Sequence, residues 1–332
     1  MQFGPVPLDQ ALGAILAHSL ALPDGRLRKG CVLGNTEIAA LRELGLAQVT
    51  VARLGPDDLA EDAAAEALAA ALQPGSGLIR SQAFTGRVNL NAPAAGVVRV
   101  DAAAVAALNR AHPAITLATL APLTRVEAGT LVGTVKIIAY GVERAALAQA
   151  CEAAVGALQF CPVVRRSASL ILTAVEGQDD KLALKGRRAV LARLTALGMT
   201  LAGVEVVAHD EAALGAAITR AGGDMVLILT GSATSDLYDT APQALRRAGG
   251  TVLRFGMPVD PGNLLFLGQL AARPVVGLPG CARSPALNGA DWVLERLACG
   301  IAVSSDDIAA MGVGGLLKEI PIRPQLREPK LR

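Results

Sequence analysis

A run of small and hydroxylic residues follows an apolar stretch in the second half of the chain. The apolar stretch ends at Leu229 and leads into a run that reaches Pro242. Glycine lets the backbone come close to a ligand, and hydroxyl groups donate to phosphate oxygens. The run therefore predicts an anion site ahead of a helix N-terminus. Its predicted binding residues are Thr230, Gly231, Ser232, Ala233, Thr234 and Ser235. An equal alternative is a polar connection in which Asp239 or Thr240 caps the helix.

Two aspartates follow neighbouring predicted strands. Asp210 comes after the strand at 203–207, and Asp239 lies at the end of the hydroxylic run. Two carboxylates beside a phosphate-binding loop are ligands that Mg²⁺ uses, so both are predicted to be catalytic and metal-ligating. A helix N-cap is the competing role for each of them. His209 is a candidate proton carrier, with a partly exposed spectator as the alternative.

Two further loops after predicted strands are rich in proline and glycine. The first loop, 256–263, supplies the predicted binding residues Pro258, Pro261, Gly262 and Asn263. The second loop, 277–284, supplies the predicted binding residues Pro279, Gly280, Cys281, Arg283 and Ser284. Arg283 suits a forked contact with a terminal phosphate, and its charge makes Cys281 a candidate soft ligand or reactive thiol. A surface arginine and an inert, buried cysteine are the alternatives.

Strand-like and helical patterns alternate from Arg165 onward, and they must position these loops. The apolar strand-like runs are 169–173, 203–207, 225–229, 251–255 and 274–277. The helical patterns are 185–197, 211–221, 242–248 and 286–298. This alternation predicts an α/β fold, a three-layer, doubly wound and mostly parallel sheet whose ligands bind beyond the carboxyl ends of the strands. A generic dinucleotide binder is disfavoured, because no G-x-G-x-x-G follows the first of these strands.

The first half of the chain has a smaller and more mixed pattern. A helix that starts near Asn35 and ends at Gly45, followed by an alternating strand at 48–54, predicts a short α+β unit. The Gln-Pro-Gly-Ser-Gly stretch at 73–77 is the best candidate for a linker. We expect four regions. They are an N-terminal α+β segment at 1–75, a small mixed α/β segment at 76–164, a ligand-binding domain at 165–305 and a C-terminal tail at 306–332.

Composition limits the classes of partner. The 332 residues include 31 basic and 29 acidic side chains, and a net charge of +2 is too small for nucleic-acid binding. The sequence contains no run of about 18 apolar residues, the length that a membrane-spanning helix requires. The N-terminus lacks the cationic start of a signal peptide, so a cytoplasmic location is expected. The five cysteines form no C-x-x-C pair, and they give no zinc-ligand spacing with the three histidines.

Several of these segments together resemble the molybdopterin-binding (MoaB/Mog) domain of molybdenum cofactor biosynthesis proteins. The similarity spans about 167–303 and rests on the strand before Asp210, the loop from Gly231 to Asp239, and the motifs at 261–263 and 278–280. Ser232 and Asn263 stand where the family usually has glycine and lysine. The resemblance implies molybdopterin or the molybdenum cofactor as ligand or substrate, Mg²⁺ as its companion, and adenylyl or metal transfer as the reaction. A non-catalytic carrier or sensor that delivers the cofactor is the alternative.

Two weaker resemblances concern the rest of the chain. Residues 7–51 resemble the first domain of the molybdopterin molybdotransferases (MoeA-like), although the Met-Asp-Gly-Tyr-Ala segment of that family is not found. The motifs at 255–263, 279–285 and 311–317 resemble a molybdopterin-binding branch that is sometimes fused to a nucleotidyltransferase. These resemblances imply a homo-oligomer, a nucleotide as a second small molecule, and a nucleotidyltransferase or an apo-molybdoenzyme as partner.

Overall fold

The computed structural model describes residues 1–177 and 180–317, so most of the predicted tail, from 318 to 332, lies outside the described residues. The chain forms two compact units. The first consists of Met1–Ala94 and Val98–Cys161, and the second of Ala95–Val97 and the chain from Pro162 onward. The stretch at 73–77 lies inside the first unit. In the described part of the chain, no helix is both long and apolar enough to cross a membrane.

Short strands and four helices make up the described chain up to residue 162. Its helices are α1 (Asn35–Glu43), α2 (Glu61–Leu72), α3 (Ala102–Ala111) and α4 (Arg144–Ala154). Its strands are β1 (Gln2–Pro7), β2 (Ile15–Leu16), β3 (Leu20–Leu22), β4 (Gly25–Leu27), β5 (Gln48–Arg53), β6 (Asp58–Ala60), β7 (Ile79–Arg80), β8 (Arg87–Asn91), β9 (Gly96–Val100), β10 (Ile115–Thr119), β11 (Thr124–Val126), β12 (Leu131–Ile137), β13 (Gly141–Glu143) and β14 (Leu158–Pro162). The predicted helix and strand around Gly45 are confirmed as α1 and β5.

The second unit is built on a six-stranded, mostly parallel sheet. Its strands are β15 (Ser167–Ala174), β16 (Thr200–Ala208), β17 (Met225–Leu229), β18 (Thr251–Phe255), β19 (Phe266–Leu270) and β20 (Arg273–Gly277). The spatial order is β16-β15-β17-β20-β19-β18, and β19 alone is antiparallel to its neighbours. The predicted α/β class with a mostly parallel sheet is thereby confirmed.

Helices accompany these strands along the chain. They are α5 (Asp180–Ala196), α6 (Glu211–Arg220), α7 (Thr240–Arg247), α8 (Gly289–Ala298) and α9 (Ser305–Ala310). Consecutive strand residues point to opposite faces of a sheet. Leu170 and Leu172 belong to a core cluster with side chains of α5 and α8, whereas Ile171 belongs to a cluster with side chains of α6 and α7. Trp292 of α8 packs against the first of these clusters.

The pattern of burial depends on the place of a strand in the sheet. Every residue of the central strand β17 is buried, as its continuous apolar sequence predicts. The strand β16 also has an apolar sequence, yet Val206 is 57% exposed. The difference arises because β16 is an edge strand with β15 as its one neighbour. A run of apolar residues therefore predicts the strand β16 but not its burial.

Candidate functional site

The loops after β16 and β17 meet at the hydroxyl group of Thr173, at the carboxyl edge of the sheet. This residue lies at the end of β15 and is 5% exposed. Its Oγ1 accepts a hydrogen bond from the Gly231 N–H at 2.9 Å and lies 2.8 Å from Nδ1 of His209. A buried hydroxyl hydrogen needs an acceptor, and Nδ1 is the acceptor beside it. We therefore assign the acceptor role to Nδ1, so that Nε2 offers an N–H donor to a ligand.

Both predicted aspartates cap helices. Asp210 precedes α6, and its carboxylate accepts a hydrogen bond from the Ala213 N–H at 2.8 Å. Asp239 precedes α7 and uses both oxygens: Oδ1 accepts from the Thr240 N–H at 2.6 Å, and Oδ2 accepts from the Ser235 N–H at 2.8 Å. The N-cap alternative is thus confirmed for both residues.

The pKa of Asp239 reflects opposing influences. Partial burial of the carboxylate raises the pKa, whereas the amide hydrogen bonds from Ser235 and Thr240 lower it, as does the positive charge of His209 when both ring nitrogens carry protons. The lowering influences prevail, so the pKa of Asp239 lies below its ordinary value. The carboxylate is therefore ionised at neutral pH and faces the same rim as His209.

These aspartates do not by themselves make a magnesium site. Mg²⁺ requires near-octahedral oxygen coordination, and both oxygens of Asp239 already accept amide hydrogen bonds. Among the described residues, no group of three or more histidine, cysteine, aspartate or glutamate side chains is placed to hold a metal ion. These side chains do not fit a resident metal ion. The metal role of Asp210 and Asp239 is a prediction from the sequence that this geometry does not support.

The hydroxylic run between β17 and α7 is partly occupied by its own hydrogen bonds. The Ser235 hydroxyl donates to the carbonyl oxygen of Ala233 at 3.2 Å, while its amide bonds Asp239. Thr230 and Thr234 are buried, whereas Ser232 is exposed. Of the predicted hydroxyl donors, Ser232 is therefore the one best placed to reach a ligand.

Arg283 connects the loop after β20 with the loop after β17. Its Nη2 donates to the carbonyl oxygen of Thr230 at 2.6 Å. The side chain is half-buried, so the alternative of a surface arginine is wrong. Burial lowers the pKa of the guanidinium, and its Nε–H is buried without an acceptor among the described residues. A buried cation with an unused donor is suited to an anionic ligand.

The loop that carries Arg283 forms a short 3-10 helix, Gly280–Arg283, which Pro279 precedes and Ser284 follows. Cys281 in this turn is half-buried.

Arg193 of α5 holds this turn in place, and the sequence analysis did not single it out. Its guanidinium donates to the carbonyl oxygens of Ala282 and Ser284, both at 2.9 Å. Its Nε pairs with Asp291 of α8 at 2.5 Å, and both side chains are nearly buried. The only sequence signal is an arginine among the apolar positions of a helix.

The loop at 256–263 packs elsewhere on the second unit. The carbonyl oxygen of Pro261 accepts from the Gly289 N–H at 2.8 Å, and the Asp260 N–H donates to Gly315 at 2.7 Å. Pro258 lies against Gly312 and Gly315. In the described part of the chain, the contacts of Pro258, Pro261, Gly262 and Asn263 therefore run to α8, the segment after α9 and within their own loop. Side-chain hydrogen bonds join the end of β15 with the loops after β16 and β17, and Arg283 joins the loop after β17 with the turn after β20.

Comparison with known proteins identifies the segment that contains most of these residues. Residues 185–298 match a family described as a probable molybdopterin binding domain. Residues 5–53 match a domain of unknown function. The first match includes Asp210, the 230–239 loop and the turn at Arg283, and it confirms the resemblance to a molybdopterin-binding domain.

More distant comparisons add little. No curated protein matches the chain. A solved structure, the molybdopterin biosynthesis MoeA protein from Pyrococcus horikosii, is 17% identical over 90% of this chain and 76% of that chain, with a TM-score of 0.32. A similarity of this size supports no functional argument.

Proposed function

We propose that the second unit binds molybdopterin at the carboxyl edge of its sheet and acts in late assembly or hand-over of the molybdenum cofactor. The match of 185–298 to a probable molybdopterin binding domain supports a role in molybdenum cofactor biosynthesis. The observation that carries the proposal is the junction at Thr173, which brings His209 and Gly231 together at this edge. Ligands of parallel α/β sheets bind at such edges.

The residues at this rim have distinct tasks in the proposal. The Nε2–H of His209 and the exposed hydroxyl of Ser232 donate hydrogen bonds to oxygen and nitrogen atoms of the pterin. Asp239 fixes the loop through the amides of Ser235 and Thr240. Arg283 fixes the start of the same loop through Thr230. The loop is thus held in one conformation before the ligand arrives, which lowers the entropic cost of binding.

Two outcomes of binding are compatible with this rim. One is adenylyl or metal transfer, and the other is hand-over of the cofactor to a nucleotidyltransferase or an apo-molybdoenzyme. The use of both Asp239 oxygens by backbone amides favours hand-over, because the carboxylate is engaged in holding the loop. We derive no step through Mg²⁺ for the same reason.

Anaerobic gel filtration of the full chain with molybdopterin tests the proposal. We expect one pterin to remain with each chain, detected by its fluorescence after oxidation. Addition of Mg-ATP and molybdate then distinguishes the two outcomes, since release of pyrophosphate or AMP indicates transfer. Loss of all pterin from the protein peak would refute the binding proposal itself.

The variant Thr173→Val tests the place of the site. Valine keeps the shape of the side chain but removes the acceptor for Gly231 and the partner of His209. We expect at least a tenfold weaker affinity for molybdopterin. Thr219→Val is the matched control, because the Thr219 hydroxyl bonds the Gly215 carbonyl oxygen within α6. Equal affinities for the two variants would place the ligand elsewhere.

A further inference from the structure

A cavity of about 450 Å³ lies between α5 and the turn that carries Arg283. Lys185, Arg188 and Arg283 line it with positive charge, and Leu184, Ala192 and Pro285 line it with apolar surface. Its volume falls within the range of small-molecule sites. Cations beside apolar side chains match a ligand that carries both a negative group and a ring.

The residues of α5 in this cavity form one stripe of the helix. Arg188 and Ala192 lie three to four and seven to eight positions after Leu184 and Lys185, and this spacing places them on a common face. Lys185 and Arg188 are both exposed, and among the described residues neither has an ion-pair partner. Like charges one turn apart destabilise a helix slightly. A bound anion would relieve that repulsion.

Arg283 supplies the opposite wall of the cavity. Its Nη2 is engaged by the Thr230 carbonyl oxygen, while its buried Nε–H has no acceptor in the described structure. Gly186 lets α5 pack closely on Leu229, because a Cβ there would lie 2.5 Å from the Leu229 side chain, and the same glycine faces Arg283 at ordinary contact distance. The Arg283 side chain thus contacts the proposed pterin loop and faces the cavity.

We propose that this cavity binds the phosphate monoester of a ring-bearing small molecule. The phosphate contacts Lys185, Arg188 and Arg283, and the carbon skeleton next to the phosphate lies against Leu184 and Pro285, so that the pterin of molybdopterin remains at the rim. The inference rests on the proposed function for the identity of the phosphorylated ligand and deepens it by locating the phosphate. The hydroxylic loop offers no cation, and both donors of Ser235 are engaged within the loop, so the cavity is the better phosphate site.

Titration calorimetry of the full chain at low salt tests the assignment. The probes are AMP, adenosine and molybdopterin, which separate a nucleotide phosphate, a ring without phosphate, and the pterin phosphate. We expect the double variant Lys185→Gln, Arg188→Gln to bind AMP or molybdopterin at least tenfold more weakly than the unaltered protein. Added salt should weaken the binding of the unaltered protein as well.

Arg187→Gln is the control for charge, because it removes one positive charge from the same helix at an exposed position outside the cavity lining. We expect its affinities to stay within twofold of the unaltered protein. Circular dichroism of both variants verifies that the helix content of the chain is unchanged.

The results separate this inference from the proposed function. Molybdopterin that binds the double variant and the unaltered protein equally, without selective AMP binding, would overturn the inference and leave the proposed function standing. AMP binding that depends on Lys185 and Arg188 without retention of molybdopterin would support the cavity and overturn the proposed function. Adenosine binding as tight as that of AMP would refute the phosphate assignment.

Discussion

At the scale of single residues, the rim is held together by polar side chains that bond the backbone. Asp239 and Thr173 accept amide hydrogen bonds from the loop after β17, and Arg193 donates to the loop after β20. The aspartate caps were predictable, because an aspartate before a helical pattern is a local signal. The roles of Thr173 and Arg193 were not predictable, because the partners of both residues are far away in the sequence. Arg193 and Asp291, for example, are 98 positions apart. Pairing over that distance depends on the fold.

Arg193→Met should destabilise the second unit. The change leaves Asp291 without its cation and the carbonyl oxygens of Ala282 and Ser284 without a donor. Removal of one partner of a buried ion pair costs about 3 kcal/mol. Urea unfolding measures the loss, with Arg187→Met as the exposed control on α5. A loss equal to that of the control would contradict a structural role for the pair.

Asp239→Asn should reduce stability in a pH-dependent way. The pKa of Asp239 is lowered in the folded chain, so the carboxylate stabilises the fold above its unfolded pKa of about 3.9. That stabilisation is lost as the pH falls through the folded-state pKa. We therefore expect a lower Tm for the variant at pH 7 and a smaller difference from the unaltered protein at pH 3.

Thermal unfolding between pH 7 and pH 3 measures this difference. Asp236→Asn is the control, because it removes an exposed carboxylate from the same loop. A difference in Tm that does not change with pH would show that the charge of Asp239 is unimportant.

At the scale of elements, hydrophobic pattern predicts most of the second unit. The strands β17 and β18 have the predicted bounds, and α6 and α8 begin within three residues of theirs. The strand β19 was missed. It forms a hairpin with β20, and Ala271 in the turn has a positive φ of 52° where glycine or asparagine would have signalled the reversal. Because this turn lacks glycine and asparagine, no signal in the sequence marks where one strand ends and the other begins.

Gly262→Ala should destabilise the packing of the 256–263 loop on α8. Gly262 has a φ of 147°, and a Cβ there would lie 2.8 Å from the Gly289 nitrogen. Backbone strain and the clash together cost about 2 kcal/mol or more. Gly249→Ala separates the two causes, because Gly249 has a positive φ but no atom within 4 Å of an added Cβ. Equal Tm values for the two variants would show that the close approach to α8 has no energetic role.

At the scale of the whole molecule, the two units have separate hydrophobic clusters. Residues such as Leu68 and Leu41 belong to clusters of the first unit, and Leu170 and Ile171 to those of the second. With 2% aromatic residues, the sequence leaves aliphatic side chains to form these cores. The sequence did not predict a function for the first unit. The family match there, at 5–53, is to a domain of unknown function.

The two units should unfold in distinguishable steps. Proteins with separate cores commonly depart from a single two-state transition. We expect Arg193→Met to move the midpoint of the tryptophan emission change to lower urea more than it moves the circular dichroism midpoint, which averages over both units. Identical displacements by both methods would indicate one cooperative unit.

The position of Trp292 makes that experiment selective. It is the one tryptophan of the sequence, and it lies on α8 beside Asp291, the partner of Arg193. Its emission therefore reports on the second unit, while the first unit is spectroscopically silent at that wavelength. The protein thus carries a built-in fluorophore next to the loop on which ligand binding is proposed to depend, and no label has to be attached.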